Sequence, residues 1–178
     1  MEGARAILEA VLADLPPPPP AQVQTSTNFA PDFVAFVKNL EQAQRLAVHK
    51  PHKSPEGGAA TIGYGHKIKP GEKFTALTDA QATKLLTHDL EQARQKVYDH
   101  IKRVYDLQLR LSRKQEEMLT EFAFNLGSLR AFPKFVDAVL REDWAKAKQE
   151  YRRSYLTPEG KRLQLDRRNQ LFAQRYGL

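Results

Sequence analysis

No stretch of this chain restricts its folding more than Thr61-Ile62-Gly63-Tyr64-Gly65-His66, where glycine alternates with large side chains. In an extended strand successive side chains point to opposite faces, so Ile62, Tyr64 and His66 share one face and Thr61, Gly63 and Gly65 the other. The first face can pack on a core. The second is nearly bare backbone headed by a hydroxyl, a surface on which an extended polymer such as a glycan can lie, and glycine there permits close approach of a ligand. The pattern predicts one strand over 61–66, with Tyr64 in the core and His66 anchoring the strand through a buried hydrogen bond or ion pair.

The residues before it supply a candidate acid. Phe33, Val37 and Leu40 recur at helical spacing, and Asp32 after Pro31 suits the first turn of that helix, as a cap or as a charge at its positive end. Val34, Val37, Glu41 and Val48 lie along one edge, so a carboxylate interrupts an apolar row. Partial desolvation raises a carboxyl pKa, and a glutamic acid that keeps its proton near neutrality can act as a general acid. Pro51 stops the helix, because it lacks an amide donor and clashes with the preceding turn. Ser54, Pro55, Gly57 and Gly58 then read as a turn with Glu56 inside it. His49 and His52 have an H-x-x-H spacing, but a zinc site needs a further ligand. With Lys50 and Lys53 they make the turn basic instead, and no metal is expected.

Downstream the chain reads as a series of helices. Pro70-Gly71 marks a turn, predicting a second short strand and a hairpin between Lys67 and Thr78. Thr78 and Gln81 have capping-box spacing and open a long helix to about Tyr105, with Leu85, Leu86, Leu90, Ala93, Val97, Ile101 and Val104 as its buried stripe. Ser112 and Gln115 repeat the box before Met118, Leu119, Phe122 and Leu126, and Gly127 terminates that helix. Asn125 either contacts a glycan or satisfies the helix end as a buried amide. Phe132 to Leu140 forms a short helix, and Glu142 and Asp143 head another with Trp144, Ala147 and Tyr151 on one face. Thr157-Pro158-Glu159 has the residues of a helix start, predicting a last helix that runs to about Tyr176. Arg152, Arg153, Lys161, Arg162, Arg167 and Arg168 are expected on the surface of this region, solvated or bound to a wall or membrane.

At the other end, Ile7, Leu8, Val11, Leu12 and Leu15 sit at helical spacing. Glu9 and Asp14 interrupt the apolar run, so it does not read as a secretory signal. Pro16 to Pro20 form a stiff polyproline spacer. Residues 1–28 are thus read as an appendage, a docking helix or a passive tail, and residues 29–178 as one domain.

Glu41 on a first helix, a glycine-containing turn, the string TIGYGH, and later LTDAQATKLLTHDLEQA and FAFNLG together resemble the phage-type lysozymes, the endolysin muramidases. The resemblance implies an α+β, mostly helical, two-lobed fold with a small β-hairpin beside the active-site cleft, and a long helix joining the lobes. It implies cleavage of the glycosidic bond between N-acetylmuramic acid and N-acetylglucosamine in peptidoglycan, with no cofactor. Glu41 matches the family's catalytic glutamate and Thr61 its threonine. The aspartate between them is missing: at the positions counted from either side stand Lys50 and Pro55, and the turn is longer than usual. Glu56 is the nearest acid and is assigned the water-activating role, with Thr61 holding the water or orienting the second carboxylate. Gly63, Gly65, Asn125 and His52 are assigned to substrate binding.

A net charge of +7 favours a polyanionic partner. Much of it is late, since residues 141–178 carry ten lysines and arginines against five acids. Nucleic acid, anionic lipid and the acidic bacterial wall all qualify, so a nucleic-acid-binding protein remains an alternative, although no finger, RNP-like string or helix-turn-helix signature accompanies the charge. A catalytically silent wall-binding module is a second alternative, and a lytic transglycosylase a third. The absence of cysteine excludes disulfides and thiol chemistry. A monomer is expected, acting from the host cytoplasm on the periplasm as an endolysin, or carried in a virion.

Overall fold

The computed structural model describes residues 29–41, 50–53, 60–105, 110–157 and 160–178. The expected N-terminal helix and polyproline spacer, His49 and Glu56 lie outside these. Among the described residues there are six helices and two small antiparallel sheets. In chain order these are α1 (Pro31–Glu41), β1 (His52–Lys53), β2 (Ala60–Ile62), β3 (His66–Lys67), α2 (Asp79–Tyr105), α3 (Arg113–Leu126), α4 (Pro133–Leu140), α5 (Trp144–Glu150), β4 (Ser154–Leu156), β5 (Arg162–Gln164) and α6 (Asp166–Tyr176). The fold is mostly helical and two-lobed, with the small sheet beside a cleft, as the sequence predicts.

Helix α2 makes the two lobes. Both predicted capping boxes form: Thr78 N–H donates to Gln81 Oε1 and Gln81 N–H to Thr78 Oγ1 at the head of α2, and Ser112 and Gln115 do the same for α3. The first half of α2 buries Ala82, Leu86 and Leu90 against Phe33 and Val37 of α1 and against Tyr64. The second half buries Ala93, Val97 and Ile101 in a larger cluster with α3, α4, α5 and α6. That cluster centres on Phe122, whose ring stacks on Phe135 at 4.0 Å and meets Phe172 edge-on at 5.1 Å. Two expected members of the α2 stripe lie outside it: Leu85 is only half-buried, and Val104 is 53% exposed in the last turn. Ala82 and His100 are buried instead.

Thr61–His66 is not a single strand. It is a tight hairpin in which β2 pairs with β3, Ile62 opposite His66, and Gly63 and Gly65 form the turn with φ of +62° and +88°. Only glycine visits that region at little cost, so the same alternation that suggests a strand also permits a reversal. Tyr64, between the glycines, is buried and donates its hydroxyl hydrogen to Asp79 Oδ1 at 2.7 Å. The third strand of this sheet comes before the turn rather than after it: β1 pairs with β2, His52 opposite Thr61. Pro70-Gly71 is a turn as expected, but no second strand follows it.

The predicted helix start at Thr157 is a second hairpin, β4 against β5. Thr157 N–H donates to Lys161 O at 2.9 Å, Gly160 N–H donates to Thr157 O at 2.9 Å, and Gly160 has φ of +79°. Helix α6 therefore begins only at Asp166. The expected basic face is also smaller than predicted, since Arg153 is wholly buried and Arg168 is ion-paired. Asp32, in the first turn of α1, bridges Arg113 at 2.6 Å and Arg175 at 2.8 Å. Both arginines also pair with Glu117. This closed ring of four charges ties α1 to α3 and α6.

Candidate active-site cleft

The cleft between the lobes has a volume of about 720 Å³ and is walled by the end of α1, the small sheet, α2, the end of α3 and the start of α6. It contains Glu41, His52, Thr61, Gly63, Gly65 and Asn125, six of the seven residues predicted for the site. A cavity of about 700 Å³ between Tyr151 and Leu178 contains none of them.

Glu41 ends α1, and the hairpin comes up against it. A Cβ placed on Gly65 would stand 3.2 Å from Glu41 Oε2, which leaves no comfortable room for a side chain. Glycine is thus required here twice over, by its positive φ and by the carboxylate it faces. Gly63 meets Leu77 and Ala82 instead, at 3.6 Å and 3.7 Å from the same construction, so its role on this wall is packing as well as lining.

The surroundings of Glu41 are not simply the apolar row expected. Its side chain is 20% exposed, and Oε1 accepts from Arg168 Nη1 at 2.8 Å. Arg168 Nε donates in turn to Glu121 Oε1 at 2.8 Å, and Arg153 Nη1 donates to Glu121 Oε2 at 2.7 Å. The row Glu41, Arg168, Glu121, Arg153 alternates in sign from the cleft to the core, where Glu121 and Arg153 are 0% exposed. Buried ions persist only when paired and hydrogen-bonded. Burial pushes the Glu121 carboxyl up, but the guanidinium groups of Arg153 and Arg168 outweigh it and hold the carboxyl below its ordinary value. Arg153 also lies 4.1 Å over the Phe122 ring, and its backbone is clamped by Asn169, which accepts from its N–H and donates to its carbonyl, both at 3.0 Å.

This network was not predicted. Arg153 and Arg168 read as surface charge because nothing near them in sequence announces a carboxylate. A signal existed in α3, where Glu117 and Glu121 fall four residues apart on a helix that is buried almost all round. Asn125 serves this network as well as the cleft, its Oδ1 accepting from Arg153 Nη1 at 3.3 Å.

Thr61 is buried on the sheet side of the cleft. Its Oγ1 lies 3.1 Å from His52 Nε2 and 3.3 Å from the His52 carbonyl oxygen, and His52 Nδ1 lies 3.0 Å from the Lys50 carbonyl oxygen. His66 has the anchoring role expected of it. Nδ1 is 2.8 Å from Asp89 on α2, and Nε2 is 3.0 Å from Glu72. Among the described residues no three His, Asp or Glu side chains are grouped to hold a metal ion.

The sequence matches the phage lysozyme family over residues 43–170. No curated protein matches it. Among solved structures, the muramidase domain of SpmX from Asticaccaulis excentricus is 21% identical with a TM-score of 0.61, covering 83% of this chain and 95% of that one. An endolysin from Escherichia coli O157:H7 phage FAHEc1 is 18% identical with a TM-score of 0.64, covering 86% and 96%. A P22 lysozyme variant is 18% identical with a TM-score of 0.55, covering 82% and 96%. At these identities the structures establish a shared fold. The family match spans most of the described domain, from just after Glu41 through the sheet to α6, and on it the chain belongs to the phage lysozyme family, a lysozyme-like glycoside hydrolase type of protein directed at peptidoglycan.

Proposed function

We propose that this protein is a muramidase that hydrolyses the bond between N-acetylmuramic acid and N-acetylglucosamine. The observation that carries the reading is the Glu41 carboxyl group, held by Arg168 in the wall of a polymer-sized cleft with the bare backbone of Gly65 against it. Glu41 donates a proton to the leaving glycosidic oxygen as the sugar develops oxocarbenium-like character. Thr61 holds the water that attacks. Glu56, between β1 and β2 in sequence and outside the described residues, assists it in this reading. Gly63, Gly65, His52 and Asn125 line the path of the glycan. The exposed Arg152, Lys161 and Arg162 offer the acidic wall a basic contact, and the setting is the bacterial envelope, reached from the host cytoplasm or from a virion.

The test is turbidity loss of permeabilised Gram-negative cells, with mass spectrometry of the released muropeptides. Wild-type protein is expected to clear the suspension and leave reducing ends. Glu41→Gln is expected to bind sacculi yet lose at least about a hundredfold in rate, the scale of a positioned general acid. Undiminished clearing by Glu41→Gln would reject the assignment, and anhydro ends would reassign the enzyme as a transglycosylase.

A further inference from the structure

Hydrolysis with inversion needs, besides the acid, a group that takes a proton from the attacking water. Among the described cleft residues the carboxylates other than Glu41 are otherwise placed. Asp89 turns both oxygens to His66, at 3.0 Å and 2.8 Å, and Asp166, exposed in the first turn of α6, makes no hydrogen bond to Thr61 or His52. His52 is different. It sits on β1 directly opposite Thr61 in the sheet, and its ring is fixed at both nitrogens.

We infer that His52, acting through the Thr61 hydroxyl, is the proton acceptor of the hydrolytic step. This rests on the muramidase reading and supplies its second half. The hydrogen bonds define the tautomer. A carbonyl oxygen only accepts, so the contact of Nδ1 with Lys50 O at 3.0 Å requires hydrogen on Nδ1. In the neutral ring Nε2 then carries a lone pair, aimed at Thr61 Oγ1 from 3.1 Å. Thr61 has one hydroxyl hydrogen and two acceptors within reach, Nε2 and the His52 carbonyl at 3.3 Å. With neutral His52 the hydroxyl donates to Nε2. With protonated His52, Nε2 donates to Oγ1 and the hydroxyl turns to the carbonyl. Both charge states are fully hydrogen-bonded, and passing between them takes only rotation of one hydroxyl.

The step balances. A bond forms between the water oxygen and the anomeric carbon as the glycosidic C–O bond breaks. Glu41 gives its proton to the leaving oxygen. The water gives one to Thr61 Oγ1, which passes its own hydrogen to His52 Nε2. Loss of that proton from His52 and its return to Glu41 through solvent restore the enzyme, with no other reactant consumed.

The experiment measures kcat and KM on purified sacculi for wild type, Glu41→Gln, His52→Ala and His52→Gln, with and without added imidazole. His52→Ala is expected to lose about 10²–10⁴-fold in kcat with KM nearly unchanged, and imidazole should restore part of it in proportion to its concentration. His52→Gln keeps an acceptor for the Thr61 hydroxyl but cannot take up a proton, so it should be as inactive as His52→Ala. Near-normal activity in His52→Gln would show that the ring only positions Thr61 and would overturn the inference. So would a folded His52→Ala with normal kcat, or one that imidazole does not rescue. Because an active Glu41→Gln overturns the muramidase reading itself, the two failures are distinguishable.

Discussion

Replacing Glu121 by glutamine removes one negative charge and almost no volume from a site with no solvent access. Two charge-assisted hydrogen bonds end on that carboxylate, from Arg153 at 2.7 Å and from Arg168 at 2.8 Å. Such bonds contribute about 1.5–3 kcal/mol each; the amide keeps one acceptor oxygen and turns an NH2, which cannot accept, toward the other arginine, so it forfeits one such bond and weakens the other, about 2–4 kcal/mol in all. Removing one partner of a buried ion pair costs about 3–5 kcal/mol in all, since the remaining charge stays desolvated. The two ranges overlap at about 3–4 kcal/mol. For a chain of this size, with a midpoint shift of about 2–4 °C per kcal/mol, that is a fall of about 6–16 °C. Thermal and urea unfolding followed by circular dichroism at pH 7 would measure it. The combined change Glu121→Leu with Arg153→Met should recover much of the loss, because apolar groups of similar volume often replace a buried pair without net cost. A Glu121→Gln protein within about 1 kcal/mol of wild type would refute the account of this network as a set of mutually dependent charges.

Two further outcomes follow from the geometry. Burial, then the charges of Arg103 and Arg130, hold the His100 pKa below its ordinary 6.5. The unfolded chain therefore binds a proton that the folded chain resists, and stability should fall as pH drops through 6.5, levelling off once folded His100 is itself protonated. His100→Leu should flatten this slope, by up to about 1.4 kcal/mol per pH unit, in unfolding series from pH 7.5 to pH 5. Gly65→Ala places a methyl 3.2 Å from Glu41 Oε2 at φ of +88°, whereas Gly71→Ala imposes a similar backbone cost at φ of +91° with nothing within 4 Å. Both should lose about 1–2 kcal/mol of stability, but only Gly65→Ala should lose kcat on sacculi, because only there must the acid move.

What could be read from the sequence was local. The boxes at Thr78 and Ser112 and the left-handed stop at Gly127 involve residues three or four apart, and all three form. Glu41 was visible as an acid breaking an apolar row, and TIGYGH as a place where backbone comes close to something. What the letters could not convey was the direction of the chain there, since glycine suits an extended strand and a positive-φ turn alike, and the hairpin closed inside the motif rather than after it. Thr157-Pro158 failed for a similar reason, as the left-handed Gly160 and the pairing of Tyr155 with Leu163 turn the segment back on itself. The acid's charged partner was hidden by distance along the chain. Arg153 and Arg168 look like any other basic residues until α3 brings Glu121 between them.

The contact of Arg168 with Glu41 spans 127 residues, and Arg167 reaches the carbonyl of Asn39 across 128. The two arginines come from the first turn of the final helix. A ribosome has therefore released the helix bearing the proposed acid long before it makes the residues that hold that acid in place. During synthesis the carboxylate exists without its clamp, and a chain broken off before Asp166 would retain the family's most recognisable motif while losing one wall of the cleft. Assembly of the proposed site thus waits on a residue made 127 positions after the acid.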